Sequence, residues 1–540
     1  MPMDAATKPI TDRPAVGQSR KWLSLASRRA SRLAGEALAC SLLAVPLAAS
    51  LLNNQALAQA NFDDGRVLLQ GFYWESYRYG KPNFPQYNQQ AWYDVVKAKV
   101  PEIAAGNFDL IWLPPPSYAG NLSAGYNPKQ YGNLGNSYGT AAQQSQLLKA
   151  LLAAGVEPVA DVVINHRDGT NGWVDFQNPK WGTQAVCRTD EAFVNPASGV
   201  TNTPDAQRGN CEEKVSYRPG GTFNYDSFRD ISHGNRQVQR DVFAYLLNLK
   251  AKGYRGWRYD MVHGYNAKWI ACYNAVTKPT FSVGEYDWDK QDEMRGWIWF
   301  SAVNSNVQGS DHIRTSSSVF DFPTFFRLKD AINKGKYTDL YGFNFGPGLM
   351  GDTTDSMPWK QRAVTFVENH DTGYRTLENG TPEEGHVFDS FANNWPVEQA
   401  YAMILTHPGL PSVYWKHYFE WGNDLQNKIK ALINARKVAG VHSGSDLYAQ
   451  SNARQAGVYA AAIKGSKGML FVRIGGSDSN WQPSFSNYSN YREYAQGAGW
   501  KVWVQLPGNP PFQFAALPSP LPAPPPSPSL PATLPSQCNP

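Results

Sequence analysis

From residue 61 onward the chain alternates between short apolar runs and longer stretches with helical spacing. The apolar runs are 67–73, 108–113, 159–164, 256–260, 281–285, 319–322, 363–368 and 411–415. Each holds mostly aliphatic and aromatic residues without strict polar alternation, which reads as a strand buried on both faces. Between several of them lie helix-period patterns, such as 143–153 and 237–251. Eight strands alternating with helices over this length predict a (β/α)8 barrel, the TIM-barrel architecture. Pro114, Pro115 and Pro116 stop the second run.

Two stretches break the rhythm. Residues 166–235 carry no clear helical pattern and are rich in Gly, Asn, Asp and Pro. They read as a subdomain inserted after the third strand. From residue 436 the texture turns to short strands at 457–462, 469–473 and 501–504, which suits a small antiparallel β-domain ending near 505. Residues 506–540 are rich in Pro, Ser, Ala and Leu, with no core-forming pattern. This tail is expected to be disordered or extended as polyproline II. The expected organisation is a leader at 1–60, a barrel at 61–435 interrupted by the insert at 166–235, a β-domain at 436–505 and a tail at 506–540.

Composition and charge refine this picture. With 540 residues, 42% of them hydrophobic, the chain can bury a large core in more than one domain. The net charge is +5, but residues 1–60, with seven Lys/Arg and three acids, account for +4 of it. The body is nearly neutral, which argues against nucleic acid as a partner. The leader itself runs from a basic region ending at Arg32 into an apolar run at 37–52 and then Ala56-Leu57-Ala58-Gln59-Ala60. That reads as an export signal, giving a secreted or periplasmic protein with no membrane in its mature form. The alternative is an organelle transit peptide, which the Arg and Ser content also suits. Cys187 and Cys211 flank one loop of the insert, and an oxidising compartment permits a bridge between them. Cys272 and Cys538 are expected to be unpaired.

The chemistry gathers at strand ends. In a barrel of this kind, reacting groups sit at the C-terminal ends of strands. The third run supplies Asp161, then Asn165 and His166; the fourth Arg258 and Asp260; the fifth Glu285; the seventh His370 and Asp371. Arg258 and Asp260 are two apart and share one face of a strand. A guanidinium beside a carboxylate keeps it ionised and oriented, as a nucleophile requires. Taken alone, this pair is equally a structural ion pair. Carboxylates at the mouths of several strands go beyond that, and two flanking carboxylates are the minimum for glycoside hydrolysis.

Four motifs appear in order: Asp161-Val-Val-Ile-Asn-His166, Gly256-Trp-Arg-Tyr-Asp-Met-Val-His263, Gly284-Glu-Tyr-Asp287 and Phe366-Val-Glu-Asn-His-Asp371. Together they resemble the α-amylase family of glycoside hydrolases. The segments 69–76, 111–115 and 404–409 look like plant-type and related bacterial α-amylases, so the resemblance spans roughly 65–505. It implies Asp260 as nucleophile, Glu285 as general acid/base and Asp371 as the carboxylate that stabilises the transition state. It also implies that Arg258 orients Asp260, that His166 and His370 bind the sugar at the cleavage site, and that Tyr126 stacks under it. A lone buried histidine more often satisfies a core hydrogen bond, and Tyr126 has a packing alternative. Asp161 and Asp321 are expected to be structural.

The resemblance further implies Ca2+, held by Asn165, by Asp230 and by the carbonyl of Gly264 (or His263 if the register differs by one). Glu212 and Glu213 are candidates for the remaining acidic ligands. His263 stands where plant-type enzymes commonly carry Lys, beside the leaving-group sugar. The implied activity is endo-hydrolysis of α-1,4-glucosidic bonds in starch or glycogen, by a monomer acting on α-glucan. The runner-up is a maltooligosaccharide-forming exo-amylase, suggested by Asn369–Tyr374 and Tyr414-Trp415. A transglycosylase on the same barrel and an inactive glycan-binding relative are the readings from other classes, and the full set Asp260, Glu285 and Asp371 argues against the last.

Overall fold

The computed structural model describes residues 63–169, 175–187, 229–287, 290–341, 348–352, 354–376, 382–383, 397–476, 480–483, 491–508, 515–524, 531 and 533–538. Eight parallel strands close into a barrel in sequence order, with the first paired to the last. They are β1 (Leu68–Gln70), β2 (Leu110–Leu113), β3 (Glu157–Val162), β4 (Gly256–Tyr259), β5 (Phe281–Gly284), β6 (Ser318–Phe320), β7 (Ala363–Phe366) and β8 (Leu410–Tyr414). All eight apolar runs become barrel strands. The first strand is shorter than its run and ends at Gln70; a Cβ on the next residue, Gly71, would sit 2.7 Å from the Ile111 side chain.

Helices α1 (Trp92–Ala105), α2 (Ala141–Ala153), α3 (Arg236–Lys252), α4 (Ala267–Thr277), α5 (Gln291–Phe300), α6 (Phe322–Asn333), α7 (Val397–Thr406) and α8 (Asn423–Ala439) accompany the strands. Local chemistry sets their ends. Thr140 and Gln143 form a reciprocal capping box, so α2 starts two residues before the expected 143. Asn235 caps α3 through the amides of Gln237 and Val238. Asp321 accepts from Thr324 N–H and its hydroxyl and from the amides of Leu349 and Met350, confirming a structural aspartate that caps α6.

After β3 the chain enters the inserted stretch. His166–Arg167 pairs antiparallel with Arg229–Asp230, closing the base of the insert against the barrel mouth. Most of the stretch between lies outside the described residues. Beyond the barrel, a five-stranded antiparallel sheet spans β9 (Asp446–Ala449), β10 (Tyr459–Lys464), β11 (Met469–Ile474), β12 (Tyr491–Gly497) and β13 (Trp500–Gln505), in the order β9-β10-β11-β13-β12. It docks on α7, where Gln399 donates to Gly475 O and His407 bonds the Tyr459 hydroxyl.

Two expectations about the C-terminal end are corrected. Cys272 and Cys538 are not unpaired: they form a disulfide between α4 and the end of the tail. The tail is not disordered where it is described. Leu521 N–H donates to Leu152 O, Arg255 donates to Pro522 O, Arg236 donates to Cys538 O, and Cys538 is fully buried. Proline fixes φ and lowers the entropy cost of ordering an extended strap, so low core content in the sequence did not mean disorder.

Candidate active site

Parallel register builds the site. Asp161 on β3 lies beside Arg258 on β4, and Tyr259 beside Gly284 on β5. Arg258 is 1% exposed and divides its guanidinium among three carboxylates. Its Nη1 lies 2.6 Å from Asp161 Oδ1 and 2.7 Å from Asp260 Oδ1, and its Nη2 lies 2.5 Å from Glu285 Oε1. The sequence suggested only the Asp260 contact. Asp161 is wholly buried and also accepts from Trp112 Nε1 at 3.0 Å and the Tyr126 hydroxyl at 2.9 Å. It anchors the arginine that organises the other two carboxylates.

Asp260 and Glu285 differ in their free oxygens. Asp260 Oδ1 is held by Arg258, while Oδ2 is buried and accepts no hydrogen bond among the described residues. Glu285 Oε2 accepts from Met261 N–H at 3.1 Å. Met261 has φ +43°, a left-handed conformation costly for a side chain of its size. The strain sits between the two carboxylates and aims a backbone donor at one of them.

The third carboxylate follows β7. Gln70 Nε2 lies 2.9 Å from His370 Nδ1, and His370 Nε2 lies 3.2 Å from Asp371 Oδ2. Gln70 donates to Nδ1, so the ring proton lies on Nε2 and points to Asp371. Burial, together with the Arg258 and Arg375 charges, holds His370 well below its usual range, so it is neutral.

Burial dominates the carboxylates. It pushes Asp260 well above the ordinary range, aided by Glu285 and Asp161 and opposed by Arg258. Asp371 is pushed up to about 7 by burial and Glu285, and Asp161 to about 6 by burial against Arg258. For Arg258, burial is outweighed by the Asp161, Glu285 and Asp260 charges, so it stays protonated. One guanidinium in contact with three carboxylates leaves excess negative charge. The cluster therefore retains a proton that belongs to the group as a whole.

The remaining expected residues fall around this cluster. The Tyr126 ring is near-parallel to that of His370, with centroids 5.2 Å apart. His166 is fully buried, and its Nε2 donates to Tyr126 O at 2.7 Å, so here it supports the tyrosine. His263 Nδ1 lies 2.9 Å from Asp287 Oδ1, a pairing the sequence reading missed. Asn165 Nδ2 donates to Asp230 Oδ1 at 3.2 Å, while Asn165 Oδ1 is buried and accepts no hydrogen bond among the described residues. A Cβ on Gly264 would sit 2.1 Å from that same oxygen, so the glycine keeps this cradle of oxygens open. The residues fit a hard cation. Among the described residues no group of three or more His, Cys, Asp or Glu is placed to hold a metal. Glu212 and Glu213 lie outside the described residues. Cys187 is disulfide-bonded, and Cys211, its expected partner, also lies outside them.

Other residues at the site escaped the sequence reading. Gln70 ends β1, Trp112 lies on β2, and Trp74 is near-parallel to Tyr126 with centroids 6.1 Å apart. Reading the last residue of every strand, rather than only the acidic ones, would have found Gln70.

Two family models match the chain. The alpha amylase catalytic domain covers residues 96–414, and the alpha-amylase C-terminal beta-sheet domain covers 438–504. Probable alpha-amylase 2 of Arabidopsis thaliana is 31% identical over 78% of this chain and 90% of its own length. A glucan 1,4-alpha-maltotetraohydrolase of Stutzerimonas stutzeri is 30% identical over 81% of this chain and 73% of its own. Among solved structures, the gamma-CGTase from alkalophilic Bacillus clarkii superposes with a TM-score of 0.59 at 14% identity, covering 83% of this chain and 71% of that one. That likeness carries the fold alone.

Proposed function

The chain belongs to the α-amylase family of glycoside hydrolases, and on that premise we propose that it cuts internal α-1,4-glucosidic bonds of starch-like glucans with retention of configuration. One observation carries the mechanism: Asp260 has one oxygen fixed by Arg258 and the other buried and uncommitted. Asp260 Oδ2 attacks the anomeric carbon, while Glu285 protonates the departing glycosidic oxygen as that bond breaks. Glu285 then takes a proton from water, which attacks the same carbon and releases Asp260. Asp371, ionised, stabilises the oxocarbenium-like state, with neutral His370 donating to it.

Tyr126 and His370 present the surface for the sugar at the cleavage site, His166 supports that surface, and Arg258 orients Asp260 and Glu285. His263, braced by Asp287, faces the leaving-group side. Asn165, Asp230 and the Gly264 carbonyl would hold a Ca2+ ion that ties the insert to the barrel, which is the only chemistry asked of it. Domain limits at 61–435, 166–235 and 436–505 suit this division of labour. The mature protein works alone on α-glucan, exported by the leader; no described helix is long and apolar enough to cross a membrane.

Exo-action releasing one maltooligosaccharide is the second reading, favoured by the similarity to the maltotetraohydrolase. The product profile on soluble starch decides. Rapid viscosity loss with mixed oligosaccharides supports endo-cleavage. One dominant oligosaccharide means exo-action, and new linkages mean transfer.

A further inference from the structure

We propose that Glu75 is a positioning residue for Asp371, acting through the loop 369–376 that leaves β7. The proposal rests on the reading of Asp371 as the transition-state carboxylate.

The inner half of that loop is tied to itself. Asn369 Oδ1 accepts from the amides of Asp371 at 2.8 Å and Thr372 at 2.9 Å, and the Thr372 hydroxyl donates to Glu368 at 2.9 Å. The outer half is tied to the segment leaving β1. Glu75 Oε1 accepts from Thr376 N–H at 2.5 Å, and Glu75 Oε2 lies 3.3 Å from Lys416 Nζ. Lys416, just past β8, also donates to Tyr374 O at 3.0 Å, and Arg78 donates to Thr376 O at 2.7 Å. Segments leaving three neighbouring strands therefore meet on one carboxylate.

The same segment grips the loop's reactive end. Gln70 bonds His370, and Phe72 packs against the His370 ring at 5.1 Å. Trp74 is tilted only 13° from His370 and carries the Arg375 guanidinium 4.8 Å from its ring centroid. Residues 70–75 thus bracket His370–Asp371 from one side and Arg375–Thr376 from the other. Glu75 is 2% exposed. Buried polar oxygens are tolerated only when they are satisfied, so the two Glu75 oxygens favour the one arrangement of the loop that places Thr376 N–H and Lys416 against them. Displacing a reacting group by about 1 Å can cost about a hundredfold in rate.

The test uses Glu75→Ala, Glu75→Gln, Lys416→Met and Asp371→Asn in the full chain, assayed on a defined maltooligosaccharide, with melting temperatures recorded. Glu75→Ala should lower kcat about 10- to 100-fold with KM within about threefold. Glu75→Gln, which keeps an acceptor for Thr376 N–H, should recover most of that loss, and Lys416→Met should fall between. Adding Glu75→Ala to Asp371→Asn should cost less than twofold, because the two act on one step. A kcat for Glu75→Ala within twofold of wild type, or a full additional loss on top of Asp371→Asn, would overturn the proposal. Should Glu75→Ala not fold, wild-type kcat in both Glu75→Gln and Lys416→Met would overturn it equally. Near-normal turnover by Asp371→Asn would instead overturn the reading of Asp371.

Discussion

Cys538 is bonded to Cys272 on α4, 266 residues earlier in the chain. In the described parts of the tail, Pro522 O meets Arg255, just past α3, and Cys538 O meets Arg236 at the start of α3. Its described contacts are with Leu152 on α2, Arg255, Arg236 on α3 and Cys272 on α4, none of which is among the proposed catalytic residues. A crosslink over so long a loop constrains the unfolded chain by up to about 5 kcal/mol in the chain-entropy picture. Cys538→Ser should lower the melting temperature by several degrees and leave kcat at 25 °C within about twofold. Deleting residues 506–540 should lower it at least as far. Unchanged melting in both variants, read by differential scanning calorimetry, would mean that the strap contributes nothing.

Arg258 and Asp260 give the next prediction. Asp260→Asn keeps shape and a hydrogen-bond acceptor but removes the nucleophile. Turnover should fall by about a thousandfold or more, with far-UV circular dichroism unchanged. Residual activity above about a tenth of wild type would sink the nucleophile assignment.

The barrel was legible because each of its strands is buried on both faces, so apolar runs such as 159–164 and 363–368 mark it without tertiary information. The proposed catalytic set was legible for a related reason: Asp260 and Glu285 directly follow readable strands, and Asp371 lies in the loop that leaves the seventh. Partnerships set by register and closure were not. That Arg258 serves Asp161 and Glu285 as well as Asp260 depends on which strands become neighbours. That Glu75 meets Thr376 and Lys416 requires the first strand to close against the last. Cys272 and Cys538 looked unpaired because nothing local brings them together, and the proline-rich tail hid its contacts in main-chain hydrogen bonds.

Asp371 predicts a pH dependence. Its folded value of about 7 stands above the ordinary 3.8. Between those values the folded protein binds a proton that the unfolded chain has released, so this group's contribution to stability falls as pH rises through the window. Asp371→Asn removes this charge from a side chain that is 23% exposed. It should raise the melting temperature by about 1 °C at pH 8 for each ~1 kcal/mol relieved, with a smaller gain at pH 5, while activity is lost at both. A melting temperature at pH 8 equal to or below wild type would show that ionising Asp371 carries no cost in the fold.

Asn165 Oδ1, buried without a donor among the described residues and kept clear by Gly264, predicts a dependence on calcium. An ion bound only by the folded state stabilises it by about 2.7 kcal/mol at a hundredfold excess over Kd. Chelation should therefore lower the melting temperature by several degrees. Ca2+ should restore it, and Mg2+, which demands a tighter octahedron, should do so poorly. Asn165→Ala should melt at the chelated wild-type temperature and no longer respond to added Ca2+. A wild-type melting temperature indifferent to chelator would remove the ion from this site, and an Asn165→Ala protein that still responded to Ca2+ would place it elsewhere.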